Sequence, residues 1–203
     1  MNSPKFPPRR EGSHHDTVSM YCHDGPADGA YRLAVSRLLK VNEWGSLHKA
    51  IRTDFRLCDG RGDTLDRAPR PGDYIRIDLP GPGSPSGGGY DWVRITGVEE
   101  VEGEAPYASM TVEPCPDPRG DEEAVAHFYA RGASNTFVIR KVGQCVQAEV
   151  HGRNERPNNS DPAMLDRVRN EAVALAGKVG LGKIQWQDWA AGVVSVIEPE
   201  AEG

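Results

Sequence analysis

The residues best suited to chemistry lie in one short run, His151-Gly152-Arg153-Asn154-Glu155-Arg156-Pro157-Asn158. An imidazole titrates near neutrality and can move a proton, and a carboxylate such as Glu155 can fix its tautomer. Arg153 can hold a carboxylate or a phosphate through two parallel hydrogen bonds. The plainer reading of the run is a polar connection from a strand into a helix. A second candidate is His127, followed by Phe128 and Tyr129. That imidazole either touches a ligand or packs as a satisfied, partly buried histidine. Trp44 and Tyr107 read either as walls of an apolar cavity or as core aromatics.

Other patterns carry less. His14, His15, Asp16, Cys22 and His23 supply metal-binding atoms, but their spacing fits no structural zinc pattern, so no metal is expected. Asp59 to Asp63 lacks the oxygen ligands of a calcium loop, because Arg61 stands where one is needed. Its Arg61-Gly62-Asp63 reads as an ordinary turn. The glycine-rich stretch from Pro80 to Gly89 is no phosphate cradle, because no Gly-Lys-Ser/Thr follows it. Asn158-Asn159-Ser160 is a glycosylation sequon by pattern alone. No cofactor is called for.

The bulk composition narrows the class. The chain has 203 residues, a formal charge of −6, 37% hydrophobic residues, 23 glycines and 16 prolines. A pI near 5.5 argues against a general nucleic-acid binder. No apolar run reaches the roughly 18 residues a membrane span needs. No export signal is visible at the N-terminus. Cys22, Cys58, Cys115 and Cys145 are far apart, so free thiols in a reducing cytoplasm are expected.

Stepping along the chain, residues 1–29 are rich in Pro, His, Ser, Asp and Gly and read as a flexible lead-in. Tyr31 to Ser36 alternates like a first strand, and Leu38 to Ala50 suggests short helices interrupted at Gly45. Thr53–Leu57, Tyr74–Leu79, Tyr90–Val98 and Tyr107–Glu113 have strand composition. Ala124–Tyr129 reads equally as a strand or a helical turn. Asn135–Lys141 and Cys145–His151 form a hairpin around Val142-Gly143-Gln144. A helix then begins with Asp161 as cap and Pro162 at its first position. Its stripe is Leu165, Val168, Ala172, Leu175 and Val179, ended by Gly177, Gly180 and Gly182. A second helix, from about Ile184 to Ile197, carries Trp186, Trp189, Ala190, Val193, Val194 and Ile197, before an acidic tail.

Strand, short helices, about six strands and a long amphipathic helix is an order that resembles the Bet v 1-like superfamily (START, polyketide cyclase; the helix-grip fold). The resemblance spans Tyr31 to Val179 and rests on element order. It implies an α+β fold in which a curved antiparallel sheet wraps a C-terminal helix and leaves an apolar cavity. Two features depart from it: the extra terminal helix and the long Pro80–Gly89 loop. The expected organisation is a lead-in at 1–29, a helix-grip-like domain at 30–179, and a further helix and tail at 180–203. The resemblance implies a cytoplasmic protein that holds a small apolar molecule, lipid- or polyketide-like, in that cavity. Cyclase- or dehydratase-type chemistry would use His127 or His151 with Glu155, and Trp44, Tyr107, Tyr129 and Arg153 would contact the ligand. The rival reading is a non-catalytic interaction protein that docks a partner, or itself, through Trp186 and Trp189.

Overall fold

The computed structural model describes residues 3–47, 53–79, 84–121, 123–158 and 186–195. The expected Leu165–Val179 helix with its Asp161–Pro162 start, the glycines that end it and the acidic tail lie outside the described residues.

Seven strands form one antiparallel sheet: β1 (Ser13–Cys22), β2 (Asp54–Cys58), β3 (Tyr74–Asp78), β4 (Asp91–Val101), β5 (Tyr107–Pro114), β6 (Ser134–Val142) and β7 (Cys145–Glu155). Their spatial order is β1-β7-β6-β5-β4-β3-β2. Between β1 and β2 come α1 (Asp28–Leu39), a single 3₁₀ turn (Val41–Glu43) and α2 (Trp44–Leu47). Residues 186–194 form a helix, α3. The result is a curved antiparallel sheet with a C-terminal helix on one face, the helix-grip arrangement. A bulge between Ile95 and Gly97 interrupts the β4–β5 register, and a bulge of this kind bends a strand.

Two elements differ from the sequence expectation. Tyr31 to Ser36 is helical, within α1. Extended alternation would bury Leu33 along with Tyr31 and Val35. Instead Leu33 is exposed, while Ala27, Ala34, Val35 and Leu38 are buried at helical spacing. The first strand is Ser13–Cys22, inside the segment read as a lead-in. Its inward residues Thr17 and Ser19 are polar, and pairing with β7 makes it a strand. The β6–β7 hairpin is as expected. Val142 pairs with Cys145, and Gly143 takes a φ of 61° in the two-residue loop.

The core lies between the inner face of the sheet and the helices. Phe137 and Ile139 of β6 pair with Val150 and Ala148 of β7, and β5 adds Ala108, Met110 and Val112. Trp44 meets Phe137, Trp189 and Phe55 at ring-centroid distances of 4.9, 5.2 and 5.5 Å. Fully burying each apolar side chain of this size contributes about 1.5–3 kcal/mol. Arg37 of α1 locks α3 in place, donating from Nη1 to the carbonyls of Val193 and Ser195 at 2.7 Å each. A cation on the last carbonyls of a helix is favourable, because their dipoles point at it. Gly192 lets the α3 backbone lie against Leu47 of α2, where any Cβ would strike the Leu47 carbonyl.

A disulfide joins Cys22 of β1 to Cys145 of β7. This corrects the expectation of four free thiols and removes the inference from thiols to a reducing compartment. Cys58 and Cys115 are free and buried. No helix of the described residues is long and apolar enough to cross a membrane.

Candidate functional site

Alternation along β7 sends Val146, Ala148 and Val150 into the core and Glu149 and His151 to the outer face of the sheet. Asp16 of β1 is the register partner of His151. His151 Nδ1 lies 2.6 Å from Asp16 Oδ1, and its Nε2 lies 2.6 Å from Glu149 Oε2. Glu149 also accepts from Arg140 Nε at 2.5 Å. Arg153 Nη1 reaches Asp16 Oδ1 at 2.6 Å and donates to the His15 and Gly152 carbonyls. Burial opposes ionisation of Asp16 and Glu149. Hydrogen bonds from His151 and Arg153 to the first, and from His151 and Arg140 to the second, outweigh it and hold both carboxyls below their ordinary values.

The expected pairing of His151 with Glu155 is absent. The two lie four residues apart on the extended strand β7, about 13 Å, which is beyond contact. Glu155 instead meets His15 Nδ1 at 3.1 Å. Both ring nitrogens of His151 are therefore engaged with carboxylates of the sheet itself. Arg153 Nη1 is likewise engaged within the fold.

Phe6 lies over this network, its ring 4.5 Å from the His151 ring. The segment carrying Phe6 is fixed by Asn154. Asn154 Oδ1 accepts from Arg10 N at 2.6 Å, and its Nδ2 donates to Pro8 O at 3.1 Å. Asn154 is the non-glycine residue at positive φ, 56°, a conformation its short amide side chain tolerates. The polar run singled out in the sequence is thus a strand end that fastens the N-terminal segment across the sheet.

His127 sits in the connection from β5 to β6. Its Nδ1 accepts from Tyr129 N at 2.9 Å, and burial pushes its pKa down to about 3. A neutral, fully buried ring of that basicity moves no proton near neutrality. Asn158 holds the same segment, donating to the Val125 and His127 carbonyls at 2.8 and 3.0 Å. Burial and the neighbouring Glu155 push the Tyr129 phenol up.

Trp44 and Tyr107 do not line one cavity. Trp44 is buried in the inner core, donating from Nε1 to the Leu38 carbonyl at 3.1 Å. Tyr107 belongs to the outer face, where its hydroxyl donates to Glu99 Oε2 at 3.2 Å. Trp189 is buried against Trp44 and Phe137, and Trp186 packs on Phe137 at 5.0 Å. Their rings are spent on the core. Among the described residues, no group of three or more His, Cys, Asp or Glu side chains is arranged to hold a metal ion.

The feature that sequence reasoning missed is a cleft of about 760 Å³ between α1 and the end of β4. Tyr31, Val35 and Leu39 of α1 form one wall with Val41, and residues Glu100, Val101 and Glu102 at the end of β4 line the opposite side. Charged residues line the same cleft: Arg32, Lys40 and Arg67 with Glu43, Asp66, Glu100 and Glu102. Burial, with Glu100 and Glu102 adding to it, pushes the Tyr31 phenol up to about 12, so the phenol keeps its proton. The signal lay in the sequence: Tyr31, Val35 and Leu39 at four-residue steps define a helical face.

Seven strands in this order, with short helices after the first and a helix after the last, define a helix-grip α+β protein. A solved structure of a hypothetical protein from Helicobacter pylori shares the fold. Its TM-score is 0.54 at 12% identity, over 96% of this chain and 95% of that one. Ara h 8.0201 matches over 90% of this chain and all of that one at 12% identity and a TM-score of 0.36. A Thermus thermophilus protein matches over 89% of this chain and 94% of that one at 14% identity, also with a TM-score of 0.36. No protein-family model matches the sequence, and no curated protein does.

Proposed function

We propose that the protein binds a small, largely apolar molecule in the cleft between α1 and the end of β4. The observation that carries this reading is the apolar wall of Tyr31, Val35 and Leu39, which with Val41 lines a space of about 760 Å³. That is the size of a small-molecule site, and ligand pockets are built as apolar walls with a few polar groups. The inner face between sheet and α3 is filled by Trp44, Phe55, Phe137 and Trp189, so the site is placed beside the aromatic core and not within it. No catalytic step is assigned to His127, His151 or Glu155, whose polar atoms are occupied or buried.

The test is a thermal-shift screen with fatty acids, aromatic polyketides and amphiphilic amines. A ligand at a hundred times its Kd stabilises the native state by about 2.7 kcal/mol. The stabilisation should disappear in Leu39→Glu, whose charge would stand in the wall, and persist in Tyr107→Phe on the other face. An absence of any shift across the panel, or a shift untouched by Leu39→Glu, sinks the reading.

A further inference from the structure

The two edges of the sheet are finished differently. β2, the shorter edge strand, is closed off. Asn42 Oδ1 accepts the Leu57 N–H at 2.8 Å, and Leu65 N donates to the Leu57 carbonyl at 2.8 Å. Among the described residues β1 has no such cover. His23 N donates to Gln144 O at 3.0 Å, and His23 follows the Cys22–Cys145 partners in the ladder. Hydrogen-bonded and non-hydrogen-bonded pairs alternate in an antiparallel ladder. The odd residues of β1 therefore bond to β7. The N–H and C=O groups of Asp16, Val18, Met20 and Cys22 point away from the sheet. Among the described residues none of these backbone groups has a hydrogen-bond partner.

The side chains on this edge are not protective either. Val18, Met20 and Tyr21 are 52%, 57% and 44% exposed. Ser13–Cys22 contains no lysine and no proline, and its bulge lies at Ser13/His15, leaving Asp16–Cys22 regular. Lysine, proline and bulges are what blunt a strand edge against pairing.

We propose that two copies of this chain associate by antiparallel pairing of β1 with β1, joining their sheets across a two-fold axis at Ser19. The strand is self-complementary in that register. Val18 meets Met20 of the second copy and Met20 meets Val18, both at hydrogen-bonded positions that supply the outward N–H and C=O groups. Thr17 faces Tyr21, Asp16 faces Cys22, and no like charges oppose one another from Asp16 to Cys22. A two-fold axis satisfies both edges with one contact and leaves no further β1 edge to extend, so the assembly closes at two. This inference is independent of the cleft and its ligand.

The experiment measures mass and cross-linking of the full chain with Cys22–Cys145 intact. Sedimentation equilibrium should give a concentration-dependent species at twice 22.1 kDa. Val18→Lys with Met20→Lys should return it to monomer without changing the circular dichroism. Leu33→Lys, at an exposed apolar residue of α1, should leave the dimer intact. Ser19→Cys places two thiols at a non-hydrogen-bonded pair, the same relation that Cys22 and Cys145 have within the chain. It should form an intermolecular disulfide under mild oxidation. A chain that stays monomeric at several hundred micromolar and gives no Ser19→Cys cross-link overturns the proposal. So does a dimer that survives the double lysine variant, because its interface then lies elsewhere.

Discussion

Asp16 and His151 are cross-strand partners on β1 and β7, and their side chains meet at 2.6 Å on the outer face of the sheet. The contact ties the edge strand to its neighbour through side chains as well as by the backbone ladder. Glu149 holds the other side of the same ring, so one imidazole bridges carboxylates from two strands.

That bridge sets a pH dependence. The Asp16 and Glu149 carboxyls lie below their ordinary values of 3.8 and 4.5. As acid is added, the unfolded chain therefore takes up these protons before the folded chain does. Their contribution to stability is complete above the ordinary values and is lost as pH falls through the lowered ones. The melting temperature should drop as the pH falls below the ordinary carboxyl values of 4.5 and 3.8 and through the lowered ones. Asp16→Asn with Glu149→Gln should melt lower than the parent at neutral pH and lose less over that acid range. Parallel curves for variant and parent would contradict the bridge.

Trp189 separates a packed helix from a docking one. It is buried completely, in contact with Trp44 and Phe137, whereas Trp186 is half-buried at the edge of the same cluster. Trp189→Ala should cost about 3–5 kcal/mol, the usual range for emptying an aromatic site in a core. Trp186→Ala should cost less, and Trp189→Phe should be tolerated because the aromatic contacts are largely kept. Urea denaturation of the three variants measures this. Equal and small losses at both positions would mean that the helix does not pack as described.

The strands β2 to β7 were legible because each buries alternate residues on one face, as Ile75 and Ile77 do. The hairpin turn at Gly143 was legible from its glycine. α1 was misread because Tyr31, Leu33 and Val35 mimic a period of two, and the exposure of Leu33 is visible only in three dimensions. β1 was missed because its inward residues, Thr17 and Ser19, are polar. It is a strand because β7 offers it a ladder. The partners of His151 were hidden for a related reason. Sequence proximity suggested His151 with Glu155, while the two carboxylates that reach the ring, each at 2.6 Å, come from Glu149, two positions away, and Asp16, 135 positions away. Disulfide partners 123 residues apart were hidden in the same way.

The thiols give a chemical check on both the disulfide and the core. Burial pushes the Cys115 thiol up to about 12 and raises Cys58 as well, so neither forms a reactive thiolate near neutrality. The native chain should therefore react with no thiol reagent until it is unfolded. Brief reduction should expose only Cys22 and Cys145, with labelling read by peptide mass. Closing so long a loop stabilises a fold by about 2–4 kcal/mol. Cys22→Ser with Cys145→Ser should melt at the temperature of the reduced parent and ignore reductant. Fast labelling of Cys58 or Cys115 in the native chain would show that the cluster with Trp92 and Ala126 is open. Indifference of the parent's melting temperature to reductant would show that the β1–β7 ladder and the Asp16–His151 contact hold the edge strand without the covalent tie.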